Sequence, residues 1–423
     1  MITLGSSERL AAPAASVSSV KVIGLGHAGL AVLQQLVRED DAPPDLVAMH
    51  TDAKAVGASA ASRKIQLGLQ VAKGLGAGGD AARGRASASE SLTEIRSECG
   101  ETELVILVTG LGGGTGSGAA SVVAEQAKKA GALVVAVVAL PFAAEGSKKR
   151  ELAEEALARL ARHCLAVLCF ENDRLVEIVP AGTAVAEAFG ASAAMLSLAV
   201  RAVTQMVGLP AVLPIGLDEL QQVFEGADAR CHFGYGVAAG PDRMRLAVEE
   251  ALRSPLLEQG KLLSEPGSVL LHLTGDPSLS LAEMQSALRH LAPYLGSSTK
   301  VHVGVAADAA AGEDIGVAIF ACTRSGVPAE FPEDEDGFTA SVDTPADIPE
   351  PAEVAVAESR GEPAAKVVGK RGKGGKKSET GQTQEELPLD QAMRGRFKDL
   401  DPTMVDGQDL DIPAFIRMRI RLK

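Results

Sequence analysis

Cysteine is scarce in this chain: five residues, Cys99, Cys164, Cys169, Cys231 and Cys322, an odd number without any CxxC spacing. That excludes a disulfide framework and a zinc site, and leaves the five as small buried hydrophobes of a reducing cytoplasm. The opening "MITLGSSERLAAPAASVSS" lacks a basic region followed by an apolar run, and no later apolar stretch reads as long and uninterrupted enough to span a bilayer. Neither export nor integral membrane insertion is therefore expected. Basic charge is also short, with 41 Lys and Arg against 55 Asp and Glu. A general nucleic-acid binder needs clustered cations to neutralise phosphates, so that class is set aside. GxxxxGK[ST] does not occur, which removes the ordinary P-loop nucleotide hydrolases.

What the chain does have is length for a large core, 423 residues of which 46% are hydrophobic, enough for two globular domains and further sequence. From Val20 short β-branched runs alternate with helical stretches: strands at "VKVIGL", "LVAMH", "ELVILVTG" and "ALVVAVVAL", helices at "AGLAVLQQLVRE", "DAARGRASASESLTEIRSEC" and "SVVAEQAKKAG". Continuous apolar strands separated by helices predict a parallel, doubly wound α/β sheet covered on both faces. The long apolar stretch "AFGASAAMLSLAVRAVTQMVG" predicts a central helix buried along much of its length. "GSVLLHLTG", "KVHVGVAAD", "DIGVAIFACT" and the helical "LAEMQSALRHLAPYL" supply a second, smaller α/β domain.

These signals divide the chain into a flexible tail (1–19), a nucleotide-binding domain (20–187), the central helix (188–209), the second domain (210–325), a disordered Pro- and acid-rich linker (326–400) and a terminal docking peptide (401–423). The linker contains "KVVGKRGKGGKK", which reads as a solvated charge block or as a contact to membrane or nucleic acid. The apolar and basic "DLDIPAFIRMRIRLK" at the end of such a tether has the design of a docking motif.

Two glycine clusters carry the chemistry. GxGxxG, at Gly24, Gly26 and Gly29, follows a strand and opens a helix, with Asp52 ending the next strand; alone it fits either a dinucleotide site or an unliganded tight turn. Two strands later "GGGTGSG" stands at another strand-to-helix junction. Two such loops at the carboxyl ends of parallel strands can enclose one polyphosphate between backbone amides and helix N-termini. A nicotinamide-dependent oxidoreductase would leave the second loop unexplained.

The "GGGTGSG" run resembles the tubulin signature, and its setting resembles the FtsZ family of bacterial tubulin-like cell-division GTPases. The likeness continues in order through "HTDAKAV", "GLGAGGDAARGR", "VAVVALPFAAEG", "ENDRL", "SPLLE" and the terminal "LDIPAF". It implies a tubulin/FtsZ-like GTPase domain, a head-to-tail homopolymer, GTP with Mg2+ accompanying it, and assembly of the division ring at midcell in the cytoplasm. By this resemblance Gly26, His27, Ala28, Gly29 and Leu30 in the first loop, and Gly113, Gly114, Thr115 and Gly116 in the second, hold the phosphates. Thr115 and Ser117 add hydroxyl donors. Asp52 joins the nucleotide site, Glu145 contacts ribose, Asn172 contacts guanine, and Phe189 stacks on the base. No residues are assigned to a protein-held metal. The tail peptide is expected to dock on membrane-tethering division proteins such as FtsA.

Several positions depart from the family pattern. Leu30 and Ala31 replace Asn residues, and His27 and Ala28 replace glycines, which narrows the phosphate space. Lys149 stands where the family has Arg, keeping charge but losing the forked geometry. Ala193 occupies the position of the guanine-reading Asp, which predicts weaker base discrimination. The acidic loop that completes the active site from the next subunit is "GLPAVLPIGLDELQQVF", with Pro214 and Gly216 at the Asn and first Asp positions and Glu219 at the second. Asp218 and Glu219 are the candidate catalytic acids, and hydrolysis is expected to be weak. A non-hydrolysing structural filament is the alternative.

Overall fold

The computed structural model describes residues 19–39, 43–175, 180, 182–224, 230–265, 267–308 and 311–323, with two short strands near the end of the chain. The first half alternates strand and helix: β1 (Val20–Leu25), α1 (Gly26–Glu39), β2 (Asp45–His50), α2 (Ala53–Ala58), β3 (Arg63–Gln66), α3 (Ala81–Glu90), α4 (Leu92–Cys99), β4 (Leu104–Gly110), α5 (Gly114–Lys129), β5 (Leu133–Leu140), α6 (Ser147–Ala161), β6 (Ala166–Glu171) and α7 (Asn172–Leu175). Next comes the long α8 (Val185–Gly208), then β7 (Ala211–Leu213), α9 (Leu217–Phe224), β8 (Arg230–Ala238), α10 (Arg243–Leu252), β9 (Gly267–Gly275), α11 (Leu281–Leu291), β10 (Lys300–Ala307) and β11 (Ile315–Thr323).

The strands form one sheet in the order β3-β2-β1-β4-β5-β6-β8-β11-β9-β10-β7. From β3 to β8 every pairing is parallel, β6 joining β8 through Val167↔Arg230 and Leu168↔Cys231. β11 then runs antiparallel to both β8 and β9, and β7 antiparallel to β10. Alternation along the strands splits the core between the two faces. Val22, Ala48, Ile106 and Val137 pack with Leu33 and Leu36 of α1 and Leu196, Val200 and Val203 of α8. Their neighbours Ile23, Val47, Val105 and Val138 pack with Ile95 of α4, Val123 of α5 and Leu157 of α6. Burial on both faces is why these strands read as unbroken apolar runs. A third cluster joins α10 and α11 to β9, β10 and β11.

Four expectations need correction. The helix expected over 80–99 is two helices, broken at Ser91, whose Oγ accepts the Gly68 N–H at 3.1 Å and whose φ/ψ of -96°/19° leave the helical region. The helix expected from Ser121 begins seven residues earlier, at Gly114, so the second glycine cluster forms the first turns of α5. The apolar α8 is 24 residues long and contains an 18-residue stretch with a mean hydropathy of 1.3, enough by length and composition to cross a membrane. Its composition reflects a stripe, Leu196, Ala199, Val200, Ala202, Val203 and Met206, buried against α1 and the sheet with Ser192 and Ser197 beside it; the other residues of the helix are partly buried or exposed, so it is not enclosed along most of its length. All five cysteines are free thiols, but Cys164 and Cys169 are only partly buried.

Residues 1–18 of the expected flexible tail and the linker expected over 326–400 lie outside the described residues. Of the terminal peptide the structure describes a separate unit's two-residue strands, β12 (Met404–Val405) and β13 (Gln408–Asp409), paired antiparallel.

Candidate nucleotide site

β1 and β4 are adjacent and parallel, so the helices that follow them, α1 and α5, begin side by side at the carboxyl edge of the sheet. Gly26 takes a φ of +71°, a turn open to glycine at little steric cost, and a Cβ there would sit 3.5 Å from the Gly116 amide nitrogen. The other two glycines of the first motif serve packing. A Cβ on Gly24 would lie 2.6 Å from Leu33 Cγ, and one on Gly29 would strike the Val108 carbonyl oxygen.

First-turn amides of a helix have no acceptor inside it. No side chain caps Gly113, the N-cap of α5, or makes a hydrogen bond to the Gly114, Thr115 or Gly116 amides among the described residues. Both helix starts open into one cavity of about 640 Å³. Its wall holds Gly26, His27, Ala28, Asp52, Gly113, Gly114, Thr115, Gly116, Glu145, Lys149, Asn172, Phe189 and Ala193, thirteen of the fifteen residues expected to touch nucleotide. The exceptions are Gly29 and Leu30, which face the interior. Leu30 belongs to the core with Leu33 and Leu36, because α1 turns that face onto the sheet.

Side-chain bonds set what the cavity offers. Thr51 and Thr115 pair through their hydroxyls at 2.7 Å. Ser117, expected to donate to phosphate, is buried, and its Oγ accepts the Gly112 N–H at 2.8 Å, holding the loop in shape. Asp52 caps α2 by accepting from the Lys54 and Ala55 amides; these bonds, the first foremost, hold its carboxyl below the usual range. Glu145 accepts the Phe142 N–H at 3.0 Å and pairs with Lys149 Nζ at 3.0 Å.

At the far end Ser192 Oγ donates to Asn172 Oδ1 at 2.8 Å, with both side chains buried. The Asn172 amide therefore faces its surroundings chiefly as a donor. Phe189 is half-exposed and stands edge-to-face on Phe142, ring centres 5.3 Å apart. Asp218 and Glu219 lie outside the cavity, exposed on the first turn of α9, where Glu219 Oε2 accepts the Gly216 N–H at 3.2 Å.

The wall also contains residues that the sequence reading did not assign: His50, Ser192 and the loop 75–79. The loop announced itself as a third glycine run, "GLGAGG". His50 gave no comparable signal, since its place beside the first loop depends on β2 lying against β1.

Two helix N-termini opening into a glycine-lined cavity at the carboxyl edge of a parallel sheet define an α/β protein with the arrangement of a phosphate-binding site. Residues 19–180 match the family described as "Tubulin/FtsZ family, GTPase domain", and 229–324 match "FtsZ family, C-terminal domain". The chain is 33% identical over 326 residues to cell division protein FtsZ 2 of Rhizobium meliloti, covering 76% of this chain and 93% of that protein. It is also 33% identical to cell division protein FtsZ of Pseudomonas putida, over 71% of this chain and 75% of the relative. Among solved structures, an empty FtsZ dimer from M. jannaschii superposes with a TM-score of 0.66 at 30% identity, covering 74% of this chain and 95% of that one. The chain belongs to the FtsZ family.

Proposed function

We propose that the chain binds GTP in this cavity, polymerises head-to-tail and hydrolyses GTP slowly at the contact between subunits, as a cytoskeletal protein of the cell-division ring. The observation that carries the reading is the convergence of the α1 and α5 N-termini on one cavity, where unpaired amides meet the partial positive charge of two helix ends. A cavity of about 640 Å³ suits a nucleotide. Gly26, Gly113, Gly114 and Gly116 would hold the phosphates, Glu145 the ribose, and Asn172 with Phe189 the base. Mg2+ would enter with the phosphates; among the described residues no cluster of three or more His, Cys, Asp or Glu forms a site of its own.

Asp218 and Glu219 stand outside the cavity, so on this reading they act on the nucleotide of a neighbouring copy. The M. jannaschii FtsZ dimer supports self-association of the family. Location at midcell and capture by an FtsA-type membrane tether through 401–423 belong to the same reading.

Turnover against protein concentration tests it. A site shared between copies gives GTPase activity per subunit that rises with concentration, and a flat profile would rule the shared site out. Sedimenting polymer without turnover would favour the non-hydrolysing filament, an outcome consistent with the commitment of Glu219 to its own helix start.

Base selection gives a second expectation. Ala193 lines the cavity beside the donor-facing Asn172, leaving no carboxylate there to accept from guanine. Ala193→Asp should raise the preference for GTP over ATP by about tenfold or more, the worth of a charge-assisted hydrogen bond. Competition of both nucleotides against a fluorescent GTP analogue measures it, and an unchanged ratio would assign base reading elsewhere.

A further inference from the structure

His27 and His50 form a pair whose proton positions the geometry dictates. The Asp52 backbone N–H, which can only donate, lies 2.8 Å from His50 Nδ1. That nitrogen must carry a lone pair, so neutral His50 holds its proton on Nε2. His50 Nε2 is 3.0 Å from His27 Nδ1, with the rings edge-to-face at a centroid separation of 4.3 Å. The His50 Nε2–H therefore donates to His27 Nδ1, and neutral His27 carries its own proton on Nε2. His50 is buried, whereas His27 is exposed at the second position of α1, on the wall of the cavity beside the unpaired first-turn amides. Among the described residues no hydrogen bond occupies His27 Nε2. The chain from backbone amide to His50 to His27 thus ends in an N–H donor at the place where the phosphates of a nucleotide would lie.

We propose that His27 donates its Nε2–H to a phosphate oxygen of the bound nucleotide, and that His50 is the positioning residue that fixes the His27 tautomer. This rests on the nucleotide-binding reading above. It assigns a distinct purpose to both histidines: the ring of His27 takes up space in the phosphate loop and adds a side-chain donor to the backbone donors. His50 is suited to its part because burial and the adjacent His27 keep it neutral, its pKa pushed down to about 4 against a smaller opposing pull from Asp52. A protonated His50 would place a proton on Nδ1 and break the bond to the Asp52 amide.

The test uses the full chain. In two-bond 1H–15N spectra of the nucleotide-free protein, both rings should show protonated Nε2 and lone-pair Nδ1. Addition of inorganic tripolyphosphate should shift the His27 Nε2 resonance and leave that of the remote His290 in place. By titration with a fluorescent GTP analogue, His27→Ala should weaken binding about tenfold, one hydrogen bond to a charged acceptor, while His27→Gln, with its own Nε2 donor, stays within about threefold. His50→Leu should match His27→Ala in affinity, and His50→Gln, which keeps a donor toward His27, should recover most of the loss.

An Nδ1–H tautomer on His27, or full GTP affinity in His27→Ala, would overturn the proposal. If the parent protein fails to bind GTP yet tripolyphosphate still moves His27, the donor role stands and the guanine-nucleotide reading falls. If neither ligand moves His27, the donor role is refuted.

Discussion

Gly114→Val is expected to lower GTP affinity about a hundred-fold, the equivalent of the roughly 3 kcal/mol that overpacking a tight contact can cost. A Cβ on Gly114 would lie 2.8 Å from Ala77 Cβ, 2.8 Å from the Asp80 nitrogen and 2.9 Å from its carbonyl oxygen. Backbone cannot rotate away as a flexible side chain can, so the loop 75–80 must move. Residues 75–79 of that loop form one wall of the cavity. The defect therefore reaches the site through the 75–79 wall as well as at Gly114, which lines the cavity itself. Gly57→Ala is the control: a Cβ there meets nothing within 4 Å, and Gly57 lies inside α2, so binding should be unchanged. Titration with a fluorescent GTP analogue checks both. Parent-like affinity in Gly114→Val would show that neither Gly114 nor the loop packed on it helps to form the site.

The second large effect is acid instability. His272 in β9 is buried, and burial alone pushes its pKa down to about 4; His50 is lowered to about 4 as well. In the unfolded chain both titrate near 6.5. Between about pH 6.5 and pH 4 the unfolded state therefore binds protons that the folded state refuses, and unfolding becomes easier as pH falls. The stability is fully present above pH 6.5 and lost progressively down to about pH 4. For His272 the loss is about 3 kcal/mol, from 1.36 kcal/mol per pKa unit; for His50, whose ring borders the open cavity, it is smaller through solvent screening. Urea unfolding at a series of pH values should show this slope, and His272→Leu should flatten it. An equally steep slope in the variant would mean that other groups carry the acid sensitivity.

Much of this site was legible in the sequence because its parts are local. A strand followed by GxGxxG, or by "GGGTGSG", brings amides to a strand end within one short segment, and the apolar runs of β1, β4 and β5 needed only their own residues to be read. What stayed hidden depends on contacts between distant segments. Glycine is a poor helix former, so nothing local marks Gly114 as the start of α5. It is helical because α3 packs closely on α5, where a Cβ on Gly84 would strike the Gly114 carbonyl oxygen and one on Gly118 the Ala81 carbonyl oxygen. β3, with exposed Arg63 and Lys64, lacks the apolar signal of its neighbours because it is the sheet edge. Against the family pattern Leu30 looks like a lost polar contact, although its spacing with Leu33 and Leu36 already matches the buried stripe of α1.

α8 connects the nucleotide cavity to the segment that carries Asp218 and Glu219. Ser192 and Ala193 stand near its start, on the cavity wall, and Gly208 at its end leads through β7 to the exposed acids of α9. At 1.5 Å per residue its 24 residues extend about 36 Å. In mechanical terms it is a strut, a single unbroken helix held at its side by the packing of Leu196, Val200 and Val203 against α1 and the sheet. Glu39 of α1, which accepts from Ser197 and pairs with Arg201, acts as a guide at the side of the strut. From Ala193 on the cavity wall to Gly208 the helix covers about 23 Å, so one continuous element joins the nucleotide cavity to the segment that carries the exposed acids.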